Sequence, residues 1–478
     1  MRHSKRYLLL STVSLMLAGC NMIPDYLRPD FSAANSWTEV QGYHLKNGDR
    51  FASDMDWKEF YDSSEIHLLV GTALQSNKDL KTAALNIDEA RTIYRVNRAD
   101  LFPSINAGAS ATLSQSSDES SATGRAAISR VYEAQLGLAS YELDLFGRIR
   151  STNESALNDY LATEEAYAIV RSALIAETTN AYLQYLADQK LLSLTKKTLD
   201  AQLQTYRILK ESLDKGVSTK QDVARAATSV ETARVNLHRY NRLVSQDTNA
   251  LFLLMGIPYD PEFLPKTTLD EFKLEDKINA GLPSEVLLSR PDIRQAEYSL
   301  LASNADIGAA RAAFFPSINL TGAYGYASRD LANLFSGSAW GAWSFVPQLT
   351  LPIFNGGANI ANLDLAKIRK EQAVVDYERA IQEAFSDVSN ELVARSTLDK
   401  ELKAQRRLVN AAQQVYDISQ ARYKAGIDSF LDVLDAQREL YTYQQNEIEI
   451  ERQRMANLVN LYAALGGGAD DTPLKHEE

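Results

Sequence analysis

The chain is written twice, and that repetition limits the fold more than any single motif. From Arg148 to Lys215 there are 68 residues with neither Gly nor Pro, closed by Gly216. Another 39 such residues, Val217 to Met255, end at Gly256. The same punctuation returns 210 positions later: 68 residues from Ala358 to Ala425, Gly426, 39 residues from Ile427 to Leu465, then Gly466. Phe102-Pro103-Ser104-Ile105-Asn106 likewise recurs as Phe315-Pro316-Ser317-Ile318-Asn319. Inside the long runs the apolar spacing is close to heptad. Leu192, Leu199, Tyr206 and Leu213 step by seven, matched by Leu402, Val409, Tyr416 and Tyr423. Such a stripe keeps one helix face against a neighbour along a supercoiled seam. At 1.5 Å per residue each long run predicts a helix of about 100 Å. Gly216 and Gly426 permit the left-handed turn that reverses such a helix. Ser218 and Gln221 have capping-box spacing, which predicts a new helix from that point.

Between the helical runs the period changes to two. Ile105, Ala107, Ala109, Ala111 and Leu113 alternate with Asn106, Gly108, Ser110, Thr112 and Ser114. Tyr132, Ala134, Leu136 and Leu138 alternate with Glu133, Gln135 and Gly137. In the second half Ile318, Leu320, Tyr324 and Tyr326 form one face, and Trp343, Phe345, Leu349 and Leu351 another. Strands are expected near 105–116, 131–145, 318–328 and 342–353. Apolar on one side, small or polar on the other, with aromatics near their ends, they suit a membrane β-barrel. One chain supplies four strands, whereas closed barrels need eight or more, so copies must join. Two copies would give eight strands and three would give twelve; only the larger barrel leaves an open lumen.

The N-terminus reads as an address. Arg2, Lys5 and Arg6 precede an apolar run from Tyr7 to Leu17, too short to cross a bilayer as a helix. Leu17-Ala18-Gly19-Cys20 resembles the bacterial lipobox, in which the Cys thiol is lipidated. Asn21 follows, rather than the Asp that retains lipoproteins at the inner membrane. Cys20 is the only Cys, which excludes disulfide frameworks and thiolate metal sites. The five His never fall at metal-ligand spacing, and the net charge of −12 argues against nucleic acid. No cofactor is expected. Gly466-Gly467-Gly468 lacks the Lys-Ser/Thr pair of a phosphate loop and ends the last helix.

These residues together resemble the TolC-like outer membrane efflux family, in its lipoprotein branch serving resistance–nodulation–division (RND) pumps. The resemblance rests on Tyr26 with Pro29, Trp57 with Phe60, and Tyr141-Glu142-Leu143-Asp144-Leu145-Phe146-Gly147-Arg148. It continues through Gly281-Leu282-Pro283-Ser284, Leu288 with Arg290-Pro291-Asp292-Ile293, and both Phe-Pro-Ser-Ile-Asn copies. Its most specific stretch is Arg422-Tyr423-Lys424-Ala425-Gly426-Ile427-Asp428, continued by Leu434-Asp435-Ala436-Gln437-Arg438. The resemblance implies a homotrimer with a 12-stranded outer-membrane β-barrel and a periplasmic α-helical barrel of 12 helices. It also implies docking of the helix tips, at Gly216 and Gly426, to a periplasmic adaptor and an inner-membrane RND pump. The organisation expected is a signal peptide over 1–19 and a lipid-anchored segment over 20–70. A first repeat over 71–256, a connection over 257–286, a second repeat over 287–466 and a tail over 467–478 follow.

A passive exit duct needs a closure at rest. Asp428, Asp432 and Asp435 step by four and three, spacing that places them on one helix face. Under threefold symmetry Asp432 and Asp435 would give six carboxylates around the axis, able to attract cations and bind a divalent ion. The resemblance assigns Asp432 and Asp435 to the periplasmic constriction, Leu431 to an apolar plug and Arg422 to a tether. A solvated helix start favoured by the helix dipole is the competing reading of the same acids. Asp222 is the first-half counterpart of Asp432, whereas Arg225 stands where Asp435 does. An ion pair between the tips, Asp222 with Arg422, is a further expectation.

The reading is therefore a non-enzymatic channel for efflux of drugs or other toxic small molecules. Type I protein secretion shares that architecture and is the near alternative. A periplasmic adaptor lipoprotein, from a different class, leaves the β-hairpins unexplained. An enzyme would need a titratable cluster, and scattered His offer none.

Overall fold

The computed structural model describes residues 21–29, 50–52, 55–119, 124–272, 274, 278–279 and 290–469. The signal peptide, Cys20, residues 30–49, residues 280–289 and the tail from 470 lie outside the described residues. The elements are β1 (Arg50–Phe51), α1 (Trp57–Phe60), α2 (Ser64–Ser76), α3 (Lys78–Ala99), β2 (Ile105–Ser116) and β3 (Ala127–Leu143). Then come α4 (Arg148–Asp214), α5 (Lys220–Met255), β4 (Ile278–Asn279), α6 (Pro291–Ala312) and β5 (Ser317–Ser328). Last are β6 (Trp340–Thr350), α7 (Ala358–Lys424) and α8 (Phe430–Ala464). The duplication is a structural fact: α4 and α7 are both 67 residues long, and α3 and α6 both 22.

The chain divides into two units. One is drawn from residues up to 30, 87–163 and 295–377, and holds a four-stranded antiparallel sheet in the order β2-β3-β5-β6. Directly opposed residues share a face, and the register aligns Ile105, Leu138, Gly322 and Phe345 in one row. Ala107, Leu136, Tyr324 and Trp343 form the next row on that face. The alternate rows are Asn106, Gly137, Ala323, Ser344 and Gly108, Gln135, Gly325, Ala342. One face is thus apolar and the other small and polar over all four strands. This corrects the two separate faces expected of the second hairpin, because Tyr324 opposes Trp343 and Ile318 opposes Leu349. Strand β3 starts at Ala127 rather than near 131, and its extra length contains a register shift between Leu138 and Tyr141. Strand β6 ends at Thr350 rather than near 353, where Pro352 has no N–H to continue a ladder.

The same unit holds the N-terminal strap, residues 21–29, against α6. Arg311 donates to the Met22 carbonyl, Asn304 Nδ2 donates to the Pro24 carbonyl at 2.9 Å, and Tyr26 and Arg28 both bond Glu297. The strap therefore runs antiparallel to the helix, and its N-terminal end lies at the α6 end that leads into β5.

The other unit, residues 31–86, 164–294 and 378–478, carries the apolar core. Trp57, Phe60 and Tyr61 pack with Ile66, Leu69 and Val70 against the inner ends of the helices at Leu183, Leu251, Met255, Val459 and Tyr462. Phe60 stacks on Tyr462 at 4.2 Å, and the Tyr462 hydroxyl donates to the Met55 carbonyl at 2.6 Å. Gly256 ends α5 in the left-handed region at φ 65°, hard against the Ser76 carbonyl, so no side chain fits there. The parallel pairing of β1 with β4 is a feature that the sequence pattern did not announce.

Candidate functional site

Both helix reversals are built the same way. Gly216 and Gly426 each sit at φ 75°. In the first turn Gly216 N–H donates to Leu213 O and Val217 N–H to Ser212 O, both at 2.9 Å. In the second, Gly426 N–H donates to Tyr423 O and Ile427 N–H to Arg422 O, again at 2.9 Å. This is the paired-bond ending in which only glycine takes the left-handed position at little cost. It leaves an apolar β-branched residue in solvent at each tip: Val217 is 82% exposed and Ile427 63%.

The restarts differ from expectation by one residue. Thr219, not Ser218, caps α5: its Oγ1 accepts from the Asp222 N–H at 3.1 Å, and Asp222 Oδ2 accepts from the Thr219 N–H at 3.2 Å. Ser218 and Gln221 take no part in that box. At the second tip Asp432 Oδ2 accepts from Ser429 N–H at 3.2 Å and Ser429 Oγ at 2.7 Å. Asp222 and Asp432, equivalent in the repeat, therefore do equivalent local work.

The acids do not lie on one helical face as a trio. Asp428 precedes the N-cap, Ser429, so its spacing to Asp432 is not helical. It binds Arg422 instead, through two bonds of 2.5 and 2.8 Å from Nε and Nη2. Those bonds hold the Asp428 carboxyl below the usual aspartate range and push the Arg422 guanidinium up. The expected pair of Asp222 with Arg422 is not formed: the carboxylate is committed to its cap and the guanidinium to the nearer Asp428. Asp435 faces Arg438 one turn on, 3.2 Å away. The spacing of three between them was visible in the sequence, but nothing there showed that the two would pair.

Leu431 and Asp435 line a cleft of about 360 Å³ with Arg225, Arg438, Gln202 and Tyr441. Beneath it Phe430, Val433 and Leu434 pack on Leu209 and Ala226, and Phe430 meets Tyr423 at 5.4 Å. The tip is thus an apolar joint with charged side chains on its surface. Among the described residues no group of three His, Cys, Asp or Glu is arranged to hold a metal.

Similarity to known proteins decides what such a tip belongs to. The family described as "Outer membrane efflux protein" matches residues 69–257 and 282–467. The chain belongs to the outer membrane efflux protein family. It is 44% identical over 466 residues to the "Antibiotic efflux pump outer membrane protein ArpC" of Pseudomonas putida, covering 97% of this chain and 96% of that one. Identity and coverage are the same for the "Toluene efflux pump outer membrane protein TtgC" of a toluene-pumping strain of the same species. Its fold matches the open state of the Neisseria gonorrhoeae MtrE outer membrane channel with a TM-score of 0.86. That match has 38% identity and covers 95% of this chain and 100% of that chain. This outer membrane efflux protein is a channel of the cell outer membrane. Its two-faced sheet is the barrel segment, and the relatives are named for pump efflux rather than for protein secretion or for adaptors.

Proposed function

We propose that three copies close their sheets into a 12-stranded barrel. This duct would pass antibiotics, solvents and similar toxic small molecules from a periplasmic adaptor and an inner-membrane RND pump to the outside. The observation that carries this reading is the sheet β2-β3-β5-β6, with one apolar face, one polar face and, among the described residues, both edges free. Free edges in lipid leave backbone groups unsatisfied at several kcal/mol each. Cys20 is the proposed lipidation site, and the strap along α6 would hold an acyl chain on Cys20 near the base of the sheet. The turns at Gly216 and Gly426, with Val217 and Ile427 in solvent, fit docking to a protein partner. Asp432 and Asp435 form the proposed gate ring, Leu431 the plug, and the Arg422–Asp428 pair the tether.

Deletion of the gene, with and without complementation, tests the function. Susceptibility to toluene and to a panel of antibiotics should rise and be restored by the wild-type copy. Unchanged susceptibility together with unchanged intracellular accumulation of a fluorescent pump substrate would overturn the reading.

A further inference from the structure

The seam between the repeats is finished inside the chain and unfinished at its two outer edges. Strand β3 runs antiparallel to β5, so the end of one lies beside the start of the other. There Phe146, just past β3, stacks on Phe315, just before β5, with ring centroids 4.6 Å apart and planes 20° apart. The duplication supplies each half of this joint a second time. Phe102 occupies in the first Phe-Pro-Ser-Ile-Asn copy the place of Phe315 in the second. Phe354, in Leu351-Pro352-Ile353-Phe354, occupies after β6 the place that Phe146 occupies after β3.

Among the described residues these second halves have nothing to stack on. Phe102 is 64% exposed and Phe354 90%, with Ile353 beside it at 92%. They flank opposite free edges of the sheet, Phe102 ahead of β2 and Phe354 behind β6. Three strand spacings of roughly 4.8 Å, about 14 Å in all, separate those edges. Within one chain the two rings cannot meet.

We propose that Phe354 of one copy stacks on Phe102 of the partner subunit, repeating between chains the Phe146–Phe315 joint made within each chain. This rests on the closed-barrel reading and continues an interface already present, the β3–β5 seam, around the ring. The register carries over with it. Leu143 opposes Ile318 in the internal seam, which maps to Leu351 opposite Ile105 of the partner subunit. Ile105 belongs to the apolar face, so the match keeps that face continuous across the boundary. The second exit has two left-handed glycines, Gly356 at φ 65° and Gly357 at φ 86°, where the first has Gly147 alone. The first exit is further fixed by Arg148, whose Nε and Nη2 bond Glu142 at 2.9 and 2.7 Å. The longer turn gives Phe354 the slack to reach outward.

Cross-linking of the full-length protein in membranes tests the joint. A chain carrying Phe102→Cys and Phe354→Cys, treated with a short bismaleimide, should give covalent species of two and three chains. Each single-Cys variant should stay at one. Phe146→Cys with Phe315→Cys should consume both thiols without a gain in mass. A three-chain complex by native mass measurement that yields no inter-chain product from the Phe102/Phe354 pair would overturn the joint while leaving the assembly standing. So would a cross-link of that pair within one chain. A protein that is a single chain in detergent would overturn the assembly, and the joint with it. Should the Cys variants fail to assemble, Phe354→Ala must lower the temperature at which the complex dissociates and Phe354→Tyr must preserve it. Equal behaviour of the two, as if lipid alone covered the ring, would also overturn the proposal.

Discussion

Arg422 locks its turn twice. Its carbonyl accepts the Ile427 N–H, and its guanidinium holds Asp428 across the same reversal. Cutting either end of the ion pair frees the same loop. Arg422→Ala and Asp428→Asn should therefore both raise resting conductance in planar bilayers, and the double variant should be no leakier than the singles. Additive leakage would mean that the two residues act separately. The sign with pH follows from the depressed Asp428 carboxyl. The pair is intact above the ordinary aspartate range, near pH 4, and is lost only as the pH falls through its lower folded value. Wild-type conductance should hold steady from pH 7 to about 5 and rise below 4, with Asp428→Asn flat throughout. Sequence alone showed a cation fit to tether something but not to what. Asp222, Asp428 and Asp432 all lay within reach of it, and a capping interaction that removes two of them from competition is a matter of which residue starts the helix. Ser429 caps the helix, which leaves Asp428 outside it and free to turn back onto Arg422.

The long helices were legible because nothing competes with the absence of Gly and Pro over so many residues. The structure puts the ends of α4 and α7 one residue short of the run, at Asp214 and Lys424. What carried no signal was β1 with β4, since two-residue strands have no period, and the core contributed by Trp57 and Phe60, which only the family resemblance singled out. The reversals can be tested directly. Gly216→Ala forces a side chain into the left-handed region at a cost of about 1–2 kcal/mol by chemical denaturation. Gly71→Ala, inside α2 with nothing near the added methyl, should instead gain roughly 0.5–1 kcal/mol. A second test concerns how α4 and α5 are held together. Burial and the neighbouring Asp188 carboxylate push Asp247 up to about 7, and its Oδ2 is buried without a partner. A raised carboxyl stabilises the fold while protonated and loses that contribution as pH rises from near 4 through 7. Asp247→Asn should therefore raise the melting temperature at pH 8 and change it little at pH 5. A gain of the same size at both values would rule out proton sharing.

A gate ring exists only in the assembly, which is why one chain shows Asp432 as a cap and Asp435 as the partner of Arg438 and no more. Around a threefold axis the carboxylates of Asp432 and Asp435 would face their copies. Two unit charges about 6 Å apart repel by roughly 3 kcal/mol at an effective dielectric near 20. Six such groups cannot crowd an axis at rest without help, from Arg438 and Arg225 at the rim or from a bound cation. Replacing Asp432 and Asp435 together by Ala removes the ligands a cation would use. Block by divalent or trivalent ions applied from the periplasmic side should weaken by an order of magnitude or more, and cation preference should fall with it. Asp432→Ala also removes the carboxylate that accepts from Ser429, so some loss of helix stability, of the order of 1 kcal/mol, accompanies the change. Asp432→Asn with Asp435→Asn separates these effects, because the amide oxygen still accepts from Ser429 while the ring charge is gone. If the Asn pair keeps wild-type block and selectivity, the carboxylates lie away from the pore and serve only as helix-start acids.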